Sequence, residues 1–149
     1  MRAPFQILAI PFRRGNGELL YCVFHRADHD QWQFISGGGE DEETPEEAAV
    51  REIQEESGLA VPSLLRLRSV CCIPTDIFPK RYVENWPQDT YVIPEYAFGF
   101  ECTDSILLSR EHLECVWLTY EEAKARLKWD SNRTALYELD CRLKKTELL

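Results

Sequence analysis

The sequence contains no apolar run approaching the roughly 18 residues that cross a bilayer, which argues against a membrane partner. Its N-terminus, MRAPFQILAIPFRR, has a short apolar stretch but no small-residue cleavage site, and reads as a buried strand rather than an export signal. Both absences lead to the expectation of a cytoplasmic protein. None of the six cysteines, at 22, 71, 72, 102, 115 and 141, forms a CxxC pair, so neither a zinc site nor a disulfide framework is indicated. Reduced, mostly buried thiols are expected instead. Basic residues are in deficit, 17 Lys and Arg against 26 Asp and Glu, for a net charge of -9. That balance excludes a sequence-independent nucleic-acid binder, which needs a basic face to neutralise phosphates. An acidic chain can still bind a phosphorylated small molecule where divalent cations bridge the two. Repeats, low-complexity tracts and linker-like stretches are also missing.

What is present fits one globular domain: 149 residues, 44% hydrophobic and 29% charged. QILAIPF (6 to 12) and ELLYCVFHR (18 to 26) read as strands around the turn RRGNG. WQFIS (32 to 36) is a short apolar piece running into three glycines, which are expected to turn the strand into a loop. TPEEAAVREIQEES (44 to 57) predicts a helix, with Thr44 as N-cap, Pro45 in the first turn, Glu47 closing a capping box and Gly58 ending it. LLRLRSVCCI (64 to 73), YVIPEYAFGFEC (91 to 102) and LECVWL (113 to 118) are further strands. Thr119 and Glu122 repeat the capping box. Ala135, Leu136, Leu139 and Leu143 stand at helical spacing. The order predicts an α+β class, a mixed sheet between helices, and not regular βαβ alternation. Between two of the strands lies PTDIFPKRYVENWPQDT, an irregular segment long enough to be a binding loop or a mobile cover.

The helix from 44 to 57 is oddly charged. On a helical wheel Glu52, Glu55 and Glu56 share a wedge about 100° wide, with small Ala48 leaving room beside them. Ala49, Val50, Ile53 and Ser57 form an adjoining face suited to packing on a sheet. Like charges at Glu52 and Glu56 disfavour the helix by roughly 0.2–0.5 kcal/mol. Carboxylates near its C-terminus lose about 0.3–1 kcal/mol each to the dipole. A solvated acidic face tolerates such penalties. A divalent cation reverses their sign, because clustered oxygens on a rigid element are what Mg²⁺ or Mn²⁺ requires.

The residues upstream decide between these readings. Gly37 is followed after five residues by Glu43, and after seven more by Arg51-Glu52-Ile53-Gln54-Glu55-Glu56-Ser57-Gly58-Leu59. Every defined position matches the Nudix box, and residue frequencies alone make a chance match on the order of 10⁻⁷ to 10⁻⁶. The chain therefore resembles the Nudix hydrolases. The resemblance implies a mixed sheet between helices and hydrolysis of a pyrophosphate bond in a compound built on a nucleoside diphosphate. It implies that Glu52, Glu55 and Glu56 ligate Mg²⁺, or Mn²⁺ in its place, with Arg51 and Glu43 holding those carboxylates. Gly37 and Gly38 would let the backbone approach the phosphates. For the general base the open choices are Glu52, Glu56, Glu111 and Glu95.

A weaker similarity reaches past the box. DQWQFISG (30 to 37), EHLECVWL (111 to 118) and WDSNRTAL (129 to 136) resemble parts of the bacterial dihydroneopterin triphosphate pyrophosphatases. That resemblance implies Glu111 as a further metal ligand, with an ordinary turn carboxylate as the other reading. It implies Ser36 at the substrate and Arg26, or His25, reaching the phosphates, with plain strand-end residues as the alternative. Arg2 could add a cation. His29 and His112 show no ligand-like spacing and receive no role. The segment from 72 to 93 departs from that pattern. Its Phe78, Tyr82, Trp86 and Tyr91 either stack a ring or anchor the loop to the core.

The function expected is a Mg²⁺-dependent pyrophosphohydrolase acting on a nucleoside or pterin triphosphate, as a monomer or homodimer. The alternatives are a hydrolase of dinucleoside polyphosphates or of a nucleotide sugar of the ADP-ribose type, and a non-catalytic nucleotide-binding regulator.

Overall fold

The fold, taken from a computed structural model, describes residues 1–61, 63–109 and 111–147, apart from the side chains of Leu113, Thr146 and Glu147. Strand β1 (Arg2–Gly15) turns at Asn16-Gly17 into β2 (Glu18–Arg26). Both turn residues have positive φ, 52° and 78°, as a two-residue hairpin requires. Short β3 (Trp32–Gln33) leads into β4 (Ile35–Glu40), then α1 (Pro45–Ser57), β5 (Leu65–Pro74) and β6 (Val92–Glu101). Strand β7 (His112–Leu118), α3 (Tyr120–Arg126) and α4 (Asp130–Glu147) complete the chain, after a single-turn α2 (Lys80–Val83) between β5 and β6.

The sheet order is β3-β2-β1-β6-β5, with β4 pairing β1 and β7 pairing β2. Only β1 and β6 run parallel, so the sheet is mixed, as the sequence predicts. Strand β1 is long enough to change partner on one side: residues 12–15 pair with β2, and residues 2–9 pair with β4. The two partners part company there, which opens a gap in the sheet beside the C-terminal half of α1.

Alternation along β1 builds two cores. Ile7 and Ala9 face one side with Phe24, Ile35 and Phe98, and bury Ala48, Ala49 and Ile53 of α1. Leu8, Ile10 and Phe12 face the other, against Ala123 of α3 and Ala135, Leu136, Leu139 and Leu143 of α4. The helices thus sandwich the sheet. Burying a side chain of the Leu or Ile class is worth about 1.5–3 kcal/mol, so these two faces fix the position of α1 against β4.

Both capping boxes form, at Thr44 with Glu47 and at Thr119 with Glu122. Gly58 ends α1 at φ 72°, in the left-handed region. The structure corrects three expectations and, for the segment after β5, agrees with the anchoring alternative. Glycines 37–39 lie inside β4 with no positive φ, and the loop before the helix begins only after Glu40. Their lack of side chains serves close packing: a methyl on Gly37 would overlap the Glu52 carboxylate, one on Gly38 the Arg2 guanidinium, and one on Gly39 the Phe5 ring. Ala48 packs in the core and leaves no room over the carboxylates, whereas Val50 is exposed, because the buried face of α1 is turned toward Ala48 and Glu52. The segment after β5 is ordered by a 3-10 turn (Thr75–Ile77) and α2. Trp86 pins it, buried and donating its indole N–H to the Arg2 carbonyl at 2.8 Å. All six cysteines are free, but only Cys22 and Cys102 are buried. Cys72 and Cys141 are exposed, and Cys71 and Cys115 lie between, since β5 is an edge strand and Cys141 sits on the outer face of α4. Among the described residues, no helix is long and apolar enough to cross a membrane.

Candidate active site

Packing Ile53 and Ala49 into the sheet carries the neighbouring carboxylates inward. Glu52 is 8% exposed and Glu56 4%, while the Glu55 side chain is 56% exposed. Burial pushes Glu52 up to about 7, and Glu55 and Glu56 push the same way against the pull of Arg51. Its carboxylate rests on the bare Cα of Gly37, so β4 and α1 approach more closely there than any side chain would permit.

Arg51 organises this end of the helix. Its Nε donates to Glu43 Oε2 at 2.9 Å and its Nη2 to Glu43 Oε1 at 3.0 Å, a two-pronged grip. Nη2 also donates to the Gly38 carbonyl at 2.8 Å, and Nη1 reaches Glu52 at 3.0 Å and Glu55 at 3.3 Å. These partners hold the guanidinium firmly charged. Glu43 in turn accepts the Glu40 amide at 2.8 Å, which ties the loop to the helix. Gly38, Glu40, Glu43, Arg51, Glu52 and Glu55 therefore form one connected network.

Glu56 faces the other way, into the gap between β2 and β4. Ser109 Oγ donates to its Oε2 at 2.9 Å, and His112 Nδ1 lies 2.9 Å from the same oxygen. Burial opposes ionisation of Glu56, but His112, Ser109 and Glu111 outweigh it and hold the group below the usual carboxylate range. Glu111 is exposed, and burial together with Glu56 raises its pKa. The structure thus places Glu111 beside Glu56. Sequence reasoning missed His112 and Ser109. Spacing holds no signal for either; the register places His112 opposite Arg26 across β2 and β7.

Arg26 is clamped by Asp28 at 2.7 and 2.8 Å and stands in the field of Glu111 and Glu56. His25 instead stacks on Trp32 and contacts Asp30, away from the carboxylates. Arg26 and Ser36 line a cavity of about 410 Å³ between β1, β5, β6 and α4. Ser36 lines this cavity and the next residue, Gly37, packs on Glu52, so β4 stands between the cavity and the acidic helix, with Arg26 reaching both. Arg2 is held in place: it donates to the Phe5 carbonyl at 2.9 Å and to Gln6 at 2.5 Å, and its guanidinium lies 5.5 Å from the Phe78 ring. Glu95 lines the cavity and stands apart from the acidic helix, on the opposite face of the sheet from α1.

Oxygen-only donors on one helix face match the preference of a hard divalent cation. A positive ion there would also offset the burial that keeps Glu52 from ionising at neutral pH. Among the described residues no three acidic or histidine side chains close on a common point, because Glu55 is drawn toward Arg51.

Comparison with known proteins follows the same lines. The family model of the NUDIX domain matches residues 4–139. The dihydroneopterin triphosphate diphosphatase of Haemophilus influenzae is 28% identical over 132 residues, covering 87% of this chain and 83% of that protein. Among solved structures, a candidate NUDIX hydrolase from Listeria monocytogenes superposes with a TM-score of 0.85 at 44% identity, covering 97% of each chain. The Escherichia coli dihydroneopterin triphosphate pyrophosphohydrolase superposes with a TM-score of 0.72 at 25% identity, covering 91% of this chain and 93% of that one.

Proposed function

This chain belongs to the Nudix family and acts on pyrophosphate bonds, and from that premise we propose that it releases pyrophosphate from a nucleoside or pterin triphosphate with Mg²⁺. The observation that carries the reading is the junction at the end of β4. There Gly37 packs on the buried Glu52 of α1, while Ser36 beside it lines a cavity large enough for a flat ring, which Arg26 links to Glu56 and Glu111. The similarity to two dihydroneopterin triphosphate enzymes along most of the chain supports the same choice.

Glu52, Glu55, Glu56 and Glu111 would hold the cation, with Mn²⁺ as a substitute. When bound, the ion would supply neutralisation of phosphate oxygens and acidify the attacking water. Arg51 and Glu43 position Glu52 through the hydrogen bonds described above. Arg26, Ser36 and Arg2 bind the substrate along its phosphates, and Gly37 and Gly38 let Glu52 and Arg2 lie close against β4 beside it. His112 and Ser109 keep Glu56 ionised, which suits it to hold the cation.

The test is a hydrolysis screen with Mg²⁺ over dihydroneopterin triphosphate, the nucleoside triphosphates, diadenosine polyphosphates and ADP-ribose. Pyrophosphate and a monophosphate are expected from the first two groups. Cleavage confined to the polyphosphates or the nucleotide sugar would overturn the assignment.

A further inference from the structure

The cavity beside Arg26 and Ser36 contains a carboxylate to which the reaction proposed above gives no role. Glu95 lies on β6 opposite Gln6 of β1, and it is 7% exposed. Among the described residues no cation pairs with it. Its polar neighbours are neutral, the side chains of Gln6 and Ser131. Burial raises its pKa, and those two donors pull it back only in part. A carboxylate offers about four acceptor positions and, when ionised, no donor. Two neutral neighbours leave acceptor capacity turned toward the cavity, which Glu95 lines together with Gln6 and Ser131.

The rest of the wall suits a planar heterocycle. Ile73, Pro74 and Ile77 present apolar surface on one side, and Trp129 stands at the margin, 47% exposed, with a ring face available for stacking. The cavity reaches Ser36 and Arg26, and Arg26 stands in the field of Glu56 and Glu111, so phosphates on a ring held beside Glu95 would run along Arg26 toward those carboxylates.

Hydrogen-bond chemistry narrows the ring further. Two parallel N–H donors on one edge satisfy a carboxylate in a two-pronged fashion, as a guanidinium does. The 2-amino-4-oxo pyrimidine edge, shared by guanine and pterins, has that pair: a ring N–H beside an exocyclic amine. Adenine and cytosine set an amine beside a ring acceptor, and uracil sets one N–H between two carbonyls. Each of these turns an acceptor toward the carboxylate, and a buried unmatched acceptor pair is costly.

We propose that Glu95 is a specificity-determining residue, whose carboxylate receives the paired N–H edge of a guanine or pterin ring held in the cavity between β5, β6 and α4. The proposal rests on placing the phosphates at α1, but it does not require that the bond between them be cleaved.

The experiment is calorimetric titration of the protein with GMP, AMP, CMP, UMP and neopterin monophosphate, so that no hydrolysis is involved. GMP and neopterin monophosphate should bind at least tenfold more tightly than the other three. Glu95→Gln, which keeps the shape and replaces one acceptor by a donor, should abolish that preference by weakening the first two about tenfold or more, with AMP changing less than threefold. Glu95→Asp, which retains the charge but retracts it, should also lose preference while keeping the thermal midpoint of the parent. Equal affinity for all five ligands, or a loss shared equally by all five in both variants, would overturn the proposal. Selective guanine binding by a protein that released no pyrophosphate would support it and count only against the reaction proposed above.

Discussion

His112 Nδ1 lies 2.9 Å from Glu56 Oε2, with both side chains nearly closed to solvent. The imidazole packs on Phe24, their ring centres 5.1 Å apart, which holds it against the carboxylate. Replacing it with leucine removes one of the groups that keep Glu56 ionised, so the pKa of Glu56 rises. With Glu56 needed in its ionised form, the acidic limb of a kcat/KM profile should move to higher pH in His112→Leu. Glu56→Gln should lower kcat on the order of 10²–10⁴-fold across the whole range. An unmoved acidic limb in His112→Leu would detach the histidine from Glu56.

Glu52 should cost the metal-free protein stability at neutral pH. Its folded pKa, about 7, lies above the ordinary value of 4.5, so between those two pH values the folded state keeps a proton that the unfolded chain has released. Stability therefore falls as pH rises through that window and stays low above it. Glu52→Gln should unfold at higher temperature than the parent at pH 8, by about 1–2 kcal/mol of stability, and show no gain at pH 4. Added Mg²⁺ should stabilise the parent and leave the variant nearly unchanged. Thermal melts at the two pH values, with and without the ion, read all of this.

Gly37→Ala and Gly38→Ala should separate cleanly. The first forces a methyl into the Glu52 carboxylate, which Arg51 and the sheet hold in place. A displacement of about an ångström there should lower kcat roughly 10²-fold. The second meets the Arg2 guanidinium and would break its bonds to Phe5 and Gln6, displacing a side chain proposed to bind phosphate, so Gly38→Ala should act mainly on KM. Steady-state kinetics of the two variants side by side is the measurement.

Glu111→Ala should weaken the dependence on Mg²⁺ while leaving the fold intact, because its side chain is exposed and its nearest acidic neighbour is Glu56. The expected result is a rise in the Mg²⁺ concentration for half-maximal rate, about tenfold, with an unchanged melting temperature. An unaltered Mg²⁺ titration would leave Glu111 a surface carboxylate.

Much of this arrangement is legible in the chain because it is local. Glu52, Glu55 and Glu56 lie on one helix whose caps, Thr44 and Gly58, can be read directly, and the partnership of Arg51 with Glu43 spans a single loop. The two sides of β1 follow from alternation in QILAIPF. The wheel misassigned Ala48 and Val50 because periodicity shows that a face is apolar without fixing how far it is rotated against the sheet. His112, Ser109 and the Glu95 cavity were not legible, since each depends on which strands become neighbours. The pairing of β2 with β7 and of β1 with β6 is a tertiary fact, set by contacts between residues roughly 90 positions apart.

That parallel partnership has a bearing on biosynthesis. Strand β1 is made first, yet its neighbour β6 is complete only at Glu101, and β7, which carries the histidine, follows later still. No proper fragment ending before β6 can close the central sheet, and Glu56 emerges without Ser109 and His112. Competence should appear abruptly during synthesis rather than by degrees, and splitting the gene between β5 and β6 should give two halves that are each inert until they meet.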